Sequence, residues 1–149
     1  MSTKLHLACD GKGRPLAVAL TPGQWGDNPQ LPVLLDAIRV PRLGGGRPRS
    51  RPDRLLADTA YSHPSTRRLL RRRGIPHTIP ERIDQRARRA TRAGRPPAFD
   101  PVVYRRRNVV ERCINRLKQW RGLATRFDKR AANFHAAVTI AALLIWLPR

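Results

Sequence analysis

The chain has 149 residues, room for one small domain, and its 40% of hydrophobic residues can fill a modest core but not two. Its 31 lysines and arginines face 10 acids, a formal charge of +21, and self-repulsion of that size is relieved by a polyanion, nucleic acid before an anionic membrane surface. Two cysteines, Cys9 and Cys113, are too few for a disulfide framework and lack metal-ligand spacing, which points to a reducing cytosol and to thiols that serve as core filler.

The N-terminal "MSTKLHLAC" has no apolar stretch long enough for an export signal. Leu5 to Cys9 and Leu16 to Leu20 are short apolar runs joined by the turn-rich "DGKGRP", the pattern of a β-hairpin. After "GQWGDNPQ", the spacing in "LPVLLDAIRV" predicts a short helix, and the basic stretch "GGGRPRSRPD" follows it. "RLLADTAY" reads as a buried strand, Arg54 to Ala57, that stops at Asp58. "HPSTRRLLRRRG" reads as a helix capped by Ser65 or Thr66 and ended by Gly74, and "IPHTIP" reads as a second short strand. A hairpin followed by this alternation is expected of an α/β fold, a mixed sheet with flanking helices.

The segment 81–100, "ERIDQRARRATRAGRPPAFD", lacks apolar periodicity and reads as an exposed basic loop. Eleven arginines fall between Arg67 and Arg95, Arg92 among them, against two acids, Glu81 and Asp84. The stretch is either a solvated charge run or an arm that tracks phosphates. Near the C-terminus a helix over about 131–147 is expected; its run "AAVTIAALLIWL" is shorter than the roughly 18 residues that suggest a membrane span, so the helix is read as buried core.

Residues 104–121 are expected to form one helix. At about 100° per residue, Val109, Val110, Cys113, Ile114, Leu117 and Trp120 share a core-facing stripe, while Tyr104, Arg107, Glu111 and Lys118 fall on one narrow ridge beside it. An ion pair on a helix surface would explain Glu111, and a turn or cap would explain Asp58. A second explanation joins them: Asp58 stands at a strand end, and two carboxylates brought together there could hold a hard divalent cation beside groups that hold phosphate.

The four ridge residues match the spacing Y-x2-R-x3-E-x6-K, and the chain resembles the DDE-type transposases of bacterial insertion sequences over nearly its whole length. The blocks "STKLHLACDGKGRPLAVALTPGQ", "LLADTAYSH", "RRRGIPHTIPER", "GRPPAFD" and "RNVVERCINRLKQWRGLATRFDK" carry the likeness in order. The resemblance implies an RNase H-like catalytic domain that uses Mg²⁺ or Mn²⁺ for phosphodiester cleavage and strand transfer. Asp58 would be the second acid and Glu111 the third, both metal ligands, with Tyr104, Arg107 and Lys118 contacting DNA. In such proteins the first acid lies on a strand ahead of the block "TKLHLACDG", here ahead of Met1. The expectation is therefore an RNase H-like domain truncated at its N-terminus, the first strand missing, and a chain that is the C-terminal part of a transposase, either a second reading frame joined by frameshifting or a decayed remnant. Asp10, the one acid near the start, belongs to the hairpin turn.

The partners implied are DNA, both transposon ends and target, and the upstream half or full-length transposase, with a homodimer left open, no membrane, and a cytoplasmic, nucleoid-associated location. A non-catalytic DNA-binding remnant that regulates transposase is the alternative, and a basic RNA-associated protein is a third class that charge alone admits.

Overall fold

The structure is a computed structural model and describes every residue except Met1, Arg92, Ala93, Lys129, Pro148 and Arg149. In chain order the elements are β1 (Thr3–Cys9), β2 (Pro15–Pro22), α1 (Gln30–Ala37), β3 (Leu55–Leu56), α2 (Pro64–Arg72) and β4 (His77–Thr78). Five further helices follow: α3 (Ile83–Ala90), α4 (Pro101–Arg105), α5 (Asn108–Lys118), α6 (Arg121–Ala124) and α7 (Ala131–Trp146). They divide into two compact units, one made of residues 1–50 and 108–149, the other of Arg51–Arg107.

The first unit is built on the expected hairpin. β1 and β2 pair antiparallel, Leu5 opposite Leu20 and Leu7 opposite Val18, with a bulge at Ala8/Cys9. The turn is tied by Asp10, whose Oδ1 accepts from the Lys12 and Arg14 amides at 2.9 Å each and whose Oδ2 accepts from Arg14 Nε at 2.7 Å. Burial raises the Asp10 pKa, but the hydrogen bonds from Arg14 and Lys12 outweigh it and hold the carboxyl below its ordinary value. Gly13 completes the turn at φ 77°, a conformation that glycine adopts without a Cβ clash. Asp10 is thus a turn residue, as its place in "DGKGRP" suggests.

Three helices pack on this hairpin, α5 against β1, α7 against β2, and α1 against both. Their buried residues recur at helical spacing: Leu31, Leu34, Leu35 and Ile38; Cys113 and Leu117; Phe134, Val138, Ala141 and Ala142. Trp146 at the end of α7 donates from Nε1 to the Pro15 carbonyl at 2.7 Å, and the Arg14 guanidinium lies 4.1 Å from its ring centroid. Cys113 is fully buried and Cys9 half-buried; both thiols are free, in keeping with their role as filler. Among the described residues no helix is long and apolar enough to cross a membrane.

In the second unit β3 and β4 pair in parallel, Leu55 opposite His77, with α2 as the crossover. Gly74 ends α2 at φ 62°, as read from the sequence, but its N-cap is His63, whose Nδ1 accepts from the Ser65 amide at 3.3 Å; Pro64 takes the first helical position, where its missing N–H costs nothing. The core is small: Leu70, Ile75, Ile79 and Thr78.

Three expectations are corrected. The four strands pair as two two-stranded sheets, not as one mixed sheet, because β3 and β4 are only two residues long and hydrogen-bond to each other alone among the described strands. The segment 81–100 is not wholly a loop: Ile83–Ala90 is helical with no buried residue, held by the intrinsic propensity of its Arg, Gln and Ala residues, with Asp84 in its first turn and Arg88 and Arg89 in its last. The expected helix over 104–121 is broken. α4 ends at Arg105, the amides of Arg106 and Arg107 turn back to Val103 and Tyr104 in three-residue bonds, and α5 runs only from Asn108 to Lys118. Trp120, expected in the core stripe, stands past the end of α5 and is 46% exposed.

Candidate active site

Asp58 follows β3 and opens a short 3₁₀ turn, Thr59–Tyr61. Its Oδ1 accepts the Ala60 amide at 2.9 Å, so the residue caps that turn while its second oxygen takes no part in the bond. Just past the two-residue strand, the Asp side chain thus supplies an acceptor for a backbone amide of the turn.

Tyr104 lies on α4, which starts at Pro101 behind an Asp100 cap that accepts from the Val102 and Val103 amides at 2.9 and 3.1 Å. Its ring meets Phe99 at 5.3 Å between centroids, tilted by 53°, and the Arg107 guanidinium carbon stands 5.8 Å from the same ring. Phe99, Tyr104 and Arg107 therefore form a local aromatic and cationic cluster in the second unit. Phe99 is absent from the residues singled out by spacing; the signal for it was its place beside the Asp100 cap in "PPAFD". Phe99 also lines a pocket of about 340 Å³ in that unit, with Pro96, Pro97, Ile79 and Arg86. The Arg89–Glu81 pair, Nη2 to Oε2 at 3.0 Å, forms another wall.

Glu111 sits in the first turn of α5 and Lys118 in its last. Both are exposed, and seven residues bring them to one side of the helix, about 10 Å apart along its axis. The opposite side carries the buried Cys113 and Leu117, which fix the helix on β1. An acid in a first turn and a cation in a last turn also complement the helix dipole.

The four ridge residues are thus brought together in pairs: Tyr104 with Arg107 by contact, Glu111 with Lys118 by a shared helix side. Tyr104, Arg107 and Asp58 belong to the second unit, Glu111 and Lys118 to the first. Carboxylates are the hard oxygen donors that a divalent ion takes, so Asp58 and Glu111 have the right chemistry for one. Among the described residues, no group of three or more His, Cys, Asp or Glu side chains stands together to hold a metal ion.

The family model described as "Transposase DDE domain" matches residues 1–146. The chain belongs to the DDE-domain transposase family. It is 31% identical over 147 residues to the protein assigned as transposase of insertion sequence element IS6501 in Brucella ovis, with 99% of each chain covered. It is 36% identical over 143 residues to the corresponding protein of IS402 in Burkholderia cepacia, covering 96% of this chain and 62% of that one. No solved structure matches the chain. Transposases of this family act in DNA transposition and generally use a divalent metal ion.

Proposed function

We propose that this chain supplies the second and third acids of a DDE transposase, Asp58 and Glu111, and that it works in DNA transposition of an insertion sequence together with a segment that brings the first. The observation that carries this reading is the Y-x2-R-x3-E-x6-K spacing inside a family match spanning almost the whole chain. Divalent ions such as Mg²⁺ or Mn²⁺, when bound, would activate the attacking oxygen and stabilise the leaving oxygen of a phosphodiester. Asp58 and Glu111 would hold them; no other acid of the chain is read at a motif position, and Asp10 is engaged in its turn.

In this reading Arg107 and Lys118 bind phosphate oxygens near the transposon end, Arg107 with its guanidinium oriented by the Tyr104 ring. The RNase H-like fold belongs in this reading to the joined transposase, with the upstream segment supplying a first strand that would pair along β1, and the setting is the cytoplasm, at the nucleoid. The upstream transposase segment is the partner, and two copies would bridge two transposon ends.

The test is reconstruction. Alone, the chain should show no strand transfer; joined to the upstream segment it should cleave transposon-end DNA in Mg²⁺ or Mn²⁺, and Asp58→Ala or Glu111→Ala should abolish cleavage while leaving DNA binding nearly intact. Robust strand transfer by the unaided chain, or by the joined Glu111→Ala variant, overturns the assignment. A second reading, a DNA-binding regulator without chemistry, rests on the formal charge of +21, which binds a polyanion with or without a metal; a joined protein that binds ends and never cleaves would establish it.

A further inference from the structure

The first unit carries a basic element that the motif residues do not account for. Every residue from Pro41 to Ser50 is exposed. The segment is nevertheless shaped: Val40 and Arg49 exchange backbone hydrogen bonds at 2.9 and 2.8 Å, closing the eight residues between them into a loop. At its far end the Gly45 amide donates to the Arg42 carbonyl at 3.1 Å, which makes Arg42–Gly45 a turn with Leu43 at its corner. Gly45 and Gly46 take φ values of 78° and 84°, open to glycine at no steric cost. A Cβ added at Gly44, Gly45 or Gly46 would meet no atom within 4 Å, so these glycines make no room for packing. They keep the tip thin.

Leu43 is the most exposed large apolar residue described, at 111% relative exposure. A lone exposed leucine is ordinary. This one stands at the corner of a thin turn with Arg42 beside it and Arg47 on the returning limb, and no acid occurs between Asp36 and Asp53. Phosphates on two sides and an apolar floor between them would satisfy these groups together. The minor groove of duplex DNA offers that combination: it is about 6 Å wide, narrower and more negative in A·T-rich tracts, and open to apolar side chains that loosen a base step. An acidic protein surface would take the arginines but gives no reason for a thin tip with a leucine at its corner.

We propose that Pro41–Pro48 is a DNA arm, with Arg42 and Arg47 on the phosphates flanking a minor groove and Leu43 against the sugar and base edges within it. The proposal rests on duplex DNA being the partner, as read above, and does not depend on the acids.

The test measures binding of the full chain to a short A·T-rich duplex by fluorescence anisotropy across a salt series, with 2-aminopurine as a reporter of unstacking. Arg42→Ser with Arg47→Ser should weaken binding and lower the salt slope by about 2, one for each phosphate contact. Leu43→Ser should keep the slope and lose the 2-aminopurine signal. Netropsin, which fills the minor groove, should compete, whereas methyl green in the major groove should not. The loop variants touch no buried residue, so unchanged circular dichroism verifies their fold, and Arg112→Ser with Arg121→Ser, both exposed and outside the loop, serves as a charge-matched control. Wild-type affinity and slope in the loop variants, an equal loss in the control with no netropsin effect, or an unaltered reporter signal in Leu43→Ser overturns the arm while leaving DNA as partner. Failure of the wild-type chain to bind duplex DNA, or a preference for structured RNA, overturns the partner itself.

Discussion

The two units hold themselves together by different means. In the first, the hairpin is covered by α1, α5 and α7, and the buried set is a run of Leu, Ile, Val, Phe and Ala side chains with few polar members. In the second, three apolar residues, Leu70, Ile75 and Ile79, form the buried core, and polar ties do much of the remaining work. Arg67 is buried against them and donates from Nη2 to the Ile79 carbonyl at 2.9 Å, Arg54 reaches Thr78 Oγ1 at 3.2 Å, and Arg89 clasps Glu81. A basic chain thus spends its apolar residues on one unit and uses arginine stems and carbonyl bonds in the other, where few apolar residues are left.

The largest expected effect breaks the first unit. Leu117→Ala, at a site 2% exposed, should cost about 2–5 kcal/mol through lost burial and the cavity left behind. In the second unit, Arg67→Ala should cost less, about 1–3 kcal/mol, because its main effect is to leave the buried Ile79 carbonyl without a donor. Burial lowers the Arg67 pKa and its Nη1 has no hydrogen-bond partner, so the guanidinium already gives back part of what its carbonyl bond gains. Urea denaturation followed by circular dichroism measures both. If Arg67→Ala costs more than Leu117→Ala, the contrast drawn between the units fails.

What could be read from the sequence follows the same division. The hairpin, α1 and α7 were legible because alternation, turn residues and apolar spacing all pointed the same way, and the observed bounds lie close to those expected. α3 was not, because it has no apolar stripe: Ile83, its first residue, is 87% exposed. Its signal was propensity and charge placement instead. The break at Arg106–Arg107 was missed for the opposite reason, since the ridge spacing ran straight through it, whereas the buried stripe that holds α5 begins only after it. Asp58 at the end of β3 was legible from "LLAD", and its turn-capping bond was one of the two roles its position suggested. Phe99 was not, because an aromatic contact five residues away across a helix start has no period.

A pH titration sharpens the comparison further, since each unit has one withdrawn imidazole. His6, 3% exposed on β1 and bonded to Thr21 Oγ1 at 2.8 Å, has its pKa lowered by burial and by Lys4, against the pull of Asp27. His77 is lowered by burial and by the charges of Arg67, Arg71 and Arg54, against its hydrogen bond to the Ile75 carbonyl. Because both folded-state values lie below 6.5, the unfolded chain binds more protons as pH falls through 6.5. Stability is therefore full above that value and declines below it until the folded-state values are passed, by at most about 1.4 kcal/mol per pH unit for each group. His6→Gln and His77→Gln should each flatten that decline, and urea midpoints between pH 7 and pH 5, on the order of one step per pH unit, provide the measurement. A wild-type midpoint that rises toward pH 5 would reverse the sign.

The smallest effect on stability belongs to the residue with the largest expected effect on chemistry. Glu111 is exposed and stands in the first turn of α5, where an acid is worth about 0.3–1 kcal/mol, and Glu111→Gln keeps the side chain's size and an acceptor oxygen, so it should shift the urea midpoint little. Asp58→Ala removes a cap from the Ala60 amide and should cost slightly more, about 0.5–2 kcal/mol, while Asp58→Asn keeps an acceptor there and should cost less than Ala. The two acids therefore differ in how cleanly they report. Loss of cleavage in Asp58→Ala could follow from a disordered turn, whereas loss in Glu111→Gln with the urea midpoint and DNA binding held at wild-type values would point to the carboxylate charge. If Glu111→Gln lowers stability as much as Leu117→Ala, Glu111 is part of the fold and its assignment as a metal ligand loses its support.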